Sequence, residues 1–170
     1  MWGVRDYEHR RALSALAART YEGADPLRVS AYPTMADPFH WYGVVETPAF
    51  FALAPVDSLG PEVDPEGSLE IRYKPEETAV TLAAKKSYLG RVYLDWAQYP
   101  ITETETLEDP NGGYVVRFMD LRYSNLPSLF GRRGGRDRPL SSAVQLDKDL
   151  RPVGYIFGSA REPGAPSEGR

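Results

Sequence analysis

The feature that most constrains the fold is the alternation of apolar and polar residues in short segments, separated by turns rich in proline and glycine. The clearest segment runs from Ser68 to Lys74, where Leu69, Ile71 and Tyr73 alternate with charged side chains. Such alternation predicts a strand with one buried face. Segments 101–107, 142–146 and 153–157 alternate in a similar way, and 40–47 is strand-like by its aromatic and β-branched residues. Because short turns join antiparallel neighbours, the sequence predicts a mainly antiparallel sheet of about six to seven strands.

Two segments carry helical patterns instead. Residues 5–21 are rich in alanine and leucine, which favours a helix, although its apolar stripe is weak. Residues 76–98 follow a proline and place apolar side chains on one side of a helical wheel, including Leu82, Leu89, Tyr93 and Trp96. The expected fold class is α+β, with this one long helix packed on a face of the sheet and an additional N-terminal helix. The expected organisation is an N-terminal helix over 1–24, one domain over 25–158 and a disordered tail over 159–170.

Composition excludes several classes of protein. The chain has 170 residues, no cysteine and only two histidines, so it lacks disulfides, thiolate metal sites and any site built from three imidazoles. Its net charge of −4 argues against a general nucleic-acid binder. No apolar run approaches the roughly 18 residues of a membrane span, so we expect the chain to be soluble.

Polar residues in and just before segment 40–47 are candidate metal ligands. Asp37, His40 and Glu46 lie close in sequence, and oxygen and nitrogen ligands of this kind hold divalent ions. The competing interpretation is that His40 is a polar group with a local partner, and it agrees better with the lack of any established ligand spacing. The sequence therefore predicts no metal, no cofactor and no catalytic residue.

A charged pair near the end of the long 114–123 segment offers a second site. Asp120 and Arg122 share a strand face that is otherwise apolar, so they need to pair if buried. One interpretation is a structural ion pair that closes one end of the core, and the other is a pair that contacts a ligand. An arginine-rich stretch over 131–138 could likewise contact phosphates or be an inert basic loop.

Three stretches resemble one known family. They are VSAYPTMADPFHWYGVVET over 29–47, YLDWAQYP over 93–100 and DLRY over 120–123. They are similar to stretches in the soluble C-terminal part of YdjM-type membrane-bound metal-dependent hydrolases, also called LexA-binding, inner-membrane-associated hydrolases. The resemblance covers most of residues 25–158. Asp37 stands where the family pattern usually has asparagine, and Gln98 where it often has arginine.

The resemblance implies a function without supplying a catalytic residue. The hydrolase label of that family belongs to an N-terminal region with membrane helices and metal ligands, which this chain does not match. We therefore expect a non-catalytic soluble domain that regulates, or recruits ligands to, a membrane-embedded hydrolase region on the same or a separate chain. The candidate ligand-binding residues are Asp37, His40, Trp41, Trp96, Asp120 and Arg122.

Two alternatives stay open. The chain could be a stand-alone small-molecule binding module, or an autonomous hydrolase that uses Asp37, His40 and Asp120. A small-molecule ligand is expected as a partner and nucleic acid is not. Arginines near the N-terminus favour the cytoplasmic face of the inner membrane if the domain is linked to a span, and the cytoplasm otherwise. They are Arg5, Arg10, Arg11 and Arg19.

Overall fold

The computed structural model describes residues 2–34, 37–108, 112–124 and 140–157. Over these residues the chain is α+β, with three α-helices and nine strands in two antiparallel sheets. The expected α+β class with antiparallel strands is confirmed, whereas the expectation of one sheet of six to seven strands is wrong. The chain divides into two compact units, Met1–Lys74 and Pro75–Arg170, whereas the sequence predicts one domain over 25–158. The N-terminal helix is part of the first unit.

The first unit is a helix followed by a five-stranded sheet. Its elements are α1 (Trp2–Ala17), β1 (Arg28–Pro33), β2 (His40–Glu46), β3 (Phe50–Asp57), β4 (Glu62–Val63) and β5 (Glu70–Tyr73). Strands β1, β2 and β3 are consecutive antiparallel neighbours. Both β4 and β5 pair with β3, the first near its end and the second near its start. The segment 55–68 is rich in proline, glycine and acidic residues, and it contains the end of β3 and all of β4.

Helix α1 packs on this sheet despite its weak apolar stripe. Ala12 and Leu16 are fully buried in a core with Trp41 and Val45 of β2. Gly43 makes the approach possible, because a Cβ there would lie 2.7 Å from a methyl carbon of Leu16. The helix ends at Ala17, four residues earlier than the composition predicts. Alanine and leucine at four-residue spacing are therefore enough to bury one side of this helix.

The second unit is a pair of short helices followed by a four-stranded meander. Its elements are α2 (Ala79–Lys86), α3 (Tyr88–Trp96), β6 (Pro100–Thr106), β7 (Tyr114–Asp120), β8 (Ser142–Leu146) and β9 (Pro152–Phe157). The strands pair in chain order, so β6 and β9 are the edges of this sheet. The core joins Leu89 and Tyr93 of α3 to Val116, Phe118 and Val144 of the sheet.

The prediction of one long helix over 76–98 is wrong. Ser87 has an extended backbone and interrupts the helix: it is the C-cap of α2 and also the N-cap of α3. Its hydroxyl donates to the carbonyl of Ala84 at 2.7 Å and accepts from the N–H of Gly90 at 3.1 Å. The helix also starts later than Pro75 suggests, because Thr78 and Thr81 form a capping box.

The break changes which side chains are buried. Leu89 and Tyr93 pack into the core as predicted, but Leu82 and Trp96 are substantially exposed. The 114–123 segment is also interrupted: β7 ends at Asp120, and Leu121–Tyr123 form a 3₁₀ turn. The predicted tail over 159–170 and the arginine-rich stretch 131–138 lie outside the described residues.

Candidate functional site

The six candidate residues belong to two separate groups. Asp37, His40 and Trp41 lie in the first unit, at the corner between β1 and β2. The other three lie in the second unit, at the junction of α3 with the end of β7; they are Trp96, Asp120 and Arg122. Each group is described by itself below.

At the first corner, Asp37 organises a turn around itself. One carboxylate oxygen accepts from the backbone N–H of Phe39 at 2.8 Å, and the other lies 2.7 Å from Nδ1 of His40. The backbone bond from Phe39 and then the bond with the His40 ring hold the pKa of Asp37 below its ordinary value of 3.8. Both side chains are exposed. The arrangement agrees with the interpretation of His40 as a polar group with a local partner.

Glu46 does not join this pair in a metal site. It lies at the opposite end of β2 from His40, about 20 Å away along an extended strand. Its carboxylate binds Lys74 at 2.8 Å and Arg28 at 2.9 Å. Burial raises its pKa, but these two cations outweigh the burial and lower it. Among the described residues no group of three or more potential metal ligands comes together.

Trp41 faces the core and not the surface. It is 3% exposed, and its ring lies 5.0 Å from the ring of His9 on α1. His9 is in turn 3.1 Å from the carbonyl oxygen of Ala31. The indole N–H of Trp41 has no hydrogen-bond partner in the described part of the chain. Trp41 therefore acts as a packing residue that ties α1 to the sheet.

In the second unit, Asp120 is the centre of a buried polar cluster. One of its oxygens accepts from the backbone N–H of Gln98 and from Nε of Arg122, both at 2.8 Å. The other accepts from the backbone N–H of Arg122 at 3.0 Å and so caps the 3₁₀ turn. The side chain is fully buried. Asp120 thereby fixes the end of β7 and the segment after α3 to one another.

Arg122 links this carboxylate to two aromatic rings. Its guanidinium carbon lies 5.0 Å from the ring centre of Trp96 and 5.0 Å from that of Tyr123, a geometry in which a cation is attracted to the ring face. The two rings are nearly parallel, with centres 5.7 Å apart. Trp96 is 46% exposed, whereas Arg122 is largely buried. We call Trp96, Arg122 and Tyr123 the aromatic–arginine surface.

Tyr93 packs between the aromatic–arginine surface and the sheet. Its ring packs against Trp96 and Phe118, and its hydroxyl donates to the carbonyl of Leu140 at 3.0 Å. Burial, and after it the negative charge of Asp120, raises the pKa of Tyr93 well above its usual range. This hydroxyl therefore stays protonated at neutral pH and holds the start of β8 against α3.

Sequence reasoning missed Tyr93 and Tyr123 as members of this group. The spacing of Tyr93 and Trp96 on one helix face is a signal for their contact. The position of Tyr123 depends on the 3₁₀ turn, which replaces the last three residues of the expected strand. Aspartate side chains often accept a hydrogen bond from the backbone N–H two residues later and so begin a turn. Asp120 does this with the N–H of Arg122, and an aspartate at this position is therefore the signal in the sequence for the turn.

Three of the four N-terminal arginines have structural partners in the first unit. Arg11 donates to the carbonyl of Leu59 and Arg19 to the carbonyl of Val63, both at 2.9 Å. They hold the segment from Leu59 to Val63, which includes β4, along α1, where an open groove of about 850 Å³ lies. Arg10 pairs with Asp6 at 2.9 Å on the exposed side of the helix.

Comparison with protein-family models, curated proteins and solved structures finds no match for this chain. Over the described residues, no helix combines the length and the apolar character that crossing a membrane requires.

Proposed function

We infer that the chain is a non-catalytic domain that recruits a ligand to a membrane-embedded hydrolase or regulates that hydrolase. The family resemblance of the sequence supports the hydrolase as partner. The observation that carries the binding role is the aromatic–arginine surface, where Trp96 is half exposed although it is stacked and backed by a buried charged cluster.

The cluster supports a binding role over a catalytic one. Both oxygens of Asp120 are occupied by donors from Gln98 and Arg122, and its side chain is fully buried. A general base needs an oxygen within hydrogen-bond reach of a substrate proton. Asp120 is instead a positioning residue, which holds Arg122 behind the two rings.

The ligand class follows from the rings. A large aromatic face that is partly exposed binds planar groups by stacking, and a guanidinium nearby strengthens the attraction for electron-rich rings. We therefore take the ligand to be a small molecule with a planar group that contacts Trp96. Asp120 and Arg122 contribute by fixing the position of the guanidinium beside Trp96. In the other unit, Asp37 and His40 stabilise the turn between β1 and β2, and Trp41 packs in the core.

A stand-alone binding module is the alternative of a different class. It uses the same aromatic–arginine surface but needs no hydrolase partner. An autonomous hydrolase that uses Asp37, His40 and Asp120 would draw its residues from both units. Upstream coding sequence with membrane helices would favour the recruiting domain, and we place that domain at the cytoplasmic face.

The experiment is a thermal-unfolding screen of the full chain against a panel of planar aromatic small molecules. A ligand that binds only the folded state stabilises it by RT ln(1 + L/Kd), where L is the free ligand concentration, so Tm rises as the ligand concentration increases. We expect stabilising ligands whose effect is lost in Trp96→Ala. The matched control is Tyr88→Ala, which removes another exposed aromatic side chain from the same helix.

Three results would oppose the proposal. Turnover of generic phosphate-ester or carboxylate-ester substrates by the purified chain, lost in Asp120→Asn, would make it an enzyme. Stabilisation that persists in Trp96→Ala would move the ligand away from the aromatic–arginine surface. Loss of ligand stabilisation in Tyr88→Ala as well as in Trp96→Ala would show that the effect is not specific to Trp96.

A further inference from the structure

The two edges of the second sheet differ in charge. Strand β6 carries Glu103 and Glu105, both exposed. Strand β9 reads PVGYIF from Pro152 to Phe157 and has no charged residue, although charged residues make up 26% of the chain. Charges on an edge strand prevent it from pairing with another chain, and an uncharged edge lacks this protection. Among the described strands, β9 has no neighbour on its far side.

Strand β9 also exposes an apolar strip. Val153, Tyr155 and Phe157 are 60%, 45% and 65% exposed. Tyr155 is opposite Val144 in the pairing with β8, and Val144 is fully buried in the core beneath the helices. Side chains opposite each other on neighbouring strands share a face of the sheet. Phe157 is likewise opposite Ser142, so Tyr155 and Phe157 continue the core face of the sheet beyond the part that the core fills. Val153 lies two residues before Tyr155, at an irregularity in the pairing with β8.

We propose that β9 pairs with β9 of a second copy of this chain in antiparallel orientation. The two-fold axis would be perpendicular to the sheet, so that both four-stranded sheets join into one of eight strands with their core faces on the same side. The register that keeps all apolar side chains in contact places Tyr155 opposite its own copy and Val153 opposite Phe157. Pro152, which has no N–H to donate, ends the pairing.

A second copy fits this edge better than a charged partner does. The strand has no side-chain charge that would select an acidic or basic peptide, and its apolar strip is complementary to itself under two-fold symmetry. The exposed parts of the three side chains add up to roughly 300 Å² per copy, given the 150–250 Å² typical of a whole aromatic side chain. That is below the roughly 800 Å² per partner of a stable interface, so the dimer is weak and depends on concentration.

Sedimentation velocity of the full chain over a wide concentration range tests the dimer. We expect the weight-average mass to rise from monomer toward dimer as concentration increases. Tyr155→Lys places a charge at the two-fold axis and should abolish the rise. The matched control is Thr104→Lys on the opposite edge strand β6, which should leave it unchanged. Circular dichroism checks that both variants are folded.

Disulfide cross-linking tests the register, because the natural chain has no cysteine. Opposite residues in an antiparallel pair have Cα atoms about 4.5–5.5 Å apart, within the range that a disulfide bridges. Oxidation should therefore cross-link Tyr155→Cys efficiently and Thr104→Cys hardly at all. A chain that stays monomeric at every concentration, a dimer that tolerates Tyr155→Lys, or preferential cross-linking through Thr104→Cys would each overturn the proposal.

Discussion

Asp120 is the residue on which the aromatic–arginine surface depends most. Replacing it with alanine removes the acceptor for Gln98 and leaves the guanidinium of Arg122 largely buried without its carboxylate. Breaking one partner of a buried ion pair costs about 3–5 kcal/mol. We expect Asp120→Ala to reduce the free energy of unfolding by that amount in a urea titration.

Glu105→Ala is the control for that measurement. Glu105 is a carboxylate on the neighbouring strand β6 and is exposed, so its removal should change the free energy of unfolding by less than about 0.5 kcal/mol. A cost for Asp120→Ala as small as that of the control would show that the cluster contributes little to stability and that Arg122 is held by other contacts.

Asp37 makes the free energy of unfolding depend on pH in the acid range. Because its folded-state pKa lies below the ordinary value of 3.8, the carboxylate form stabilises the folded state. This contribution is fully present above the ordinary pKa and is lost as the pH falls through the lowered folded-state pKa. We expect the wild-type chain to be more stable than Asp37→Asn at neutral pH and the difference to vanish in strong acid. A difference between the two proteins that does not vary with pH would contradict this.

At the scale of elements, two helical glycines differ in what surrounds them. Gly90 in α3 lies so close to the end of α2 that an added Cβ would overlap the carbonyl oxygen of Ala84. Gly3 in α1 has nothing within 4 Å. Helix propensity alone favours alanine over glycine by roughly 0.5–1 kcal/mol at both positions.

The close approach reverses that preference at Gly90. We expect Gly90→Ala to destabilise the chain by about 1–3 kcal/mol, as overpacking does, and Gly3→Ala to be neutral or stabilising. Thermal unfolding of the two variants beside the wild type measures the difference. If Gly90→Ala is as stable as Gly3→Ala, the two helices do not meet at Ser87 as closely as described.

The same junction shows what sequence patterns can predict about elements. The apolar period over 76–98 continues through Ser87, since Leu89 and Tyr93 keep the helical spacing, and therefore it predicts one helix. Capping by a side chain competes with helix continuation at this point, and periodicity does not detect that competition. By contrast, the aromatic and β-branched content of 40–47 and the alternation of 142–146 give strand bounds within one residue of the structure.

At the scale of the whole molecule, the sequence predicts the fold class and not the division into units. Short turns and alternating strands lead to antiparallel α+β structure whether the strands form one sheet or two. Local patterns carry little information on which strands are neighbours, and the long connection through two helices between β5 and β6 allows either arrangement. The candidate residues were predicted to form one set. Of these, Arg122 contacts both Asp120 and Trp96, whereas Trp41 is buried in the core of the first unit.

We propose that the ligand contacts Trp96. The indole N–H signals in a ¹H–¹⁵N NMR spectrum test this contact most directly. The chain has three tryptophans, so each gives a separate signal, and Trp96→Phe and Trp41→Phe assign two of them. On addition of the planar ligand that best stabilises the chain, we predict a shift of the Trp96 signal and none of the buried Trp41 signal. An unchanged Trp96 signal at saturating ligand would contradict the account.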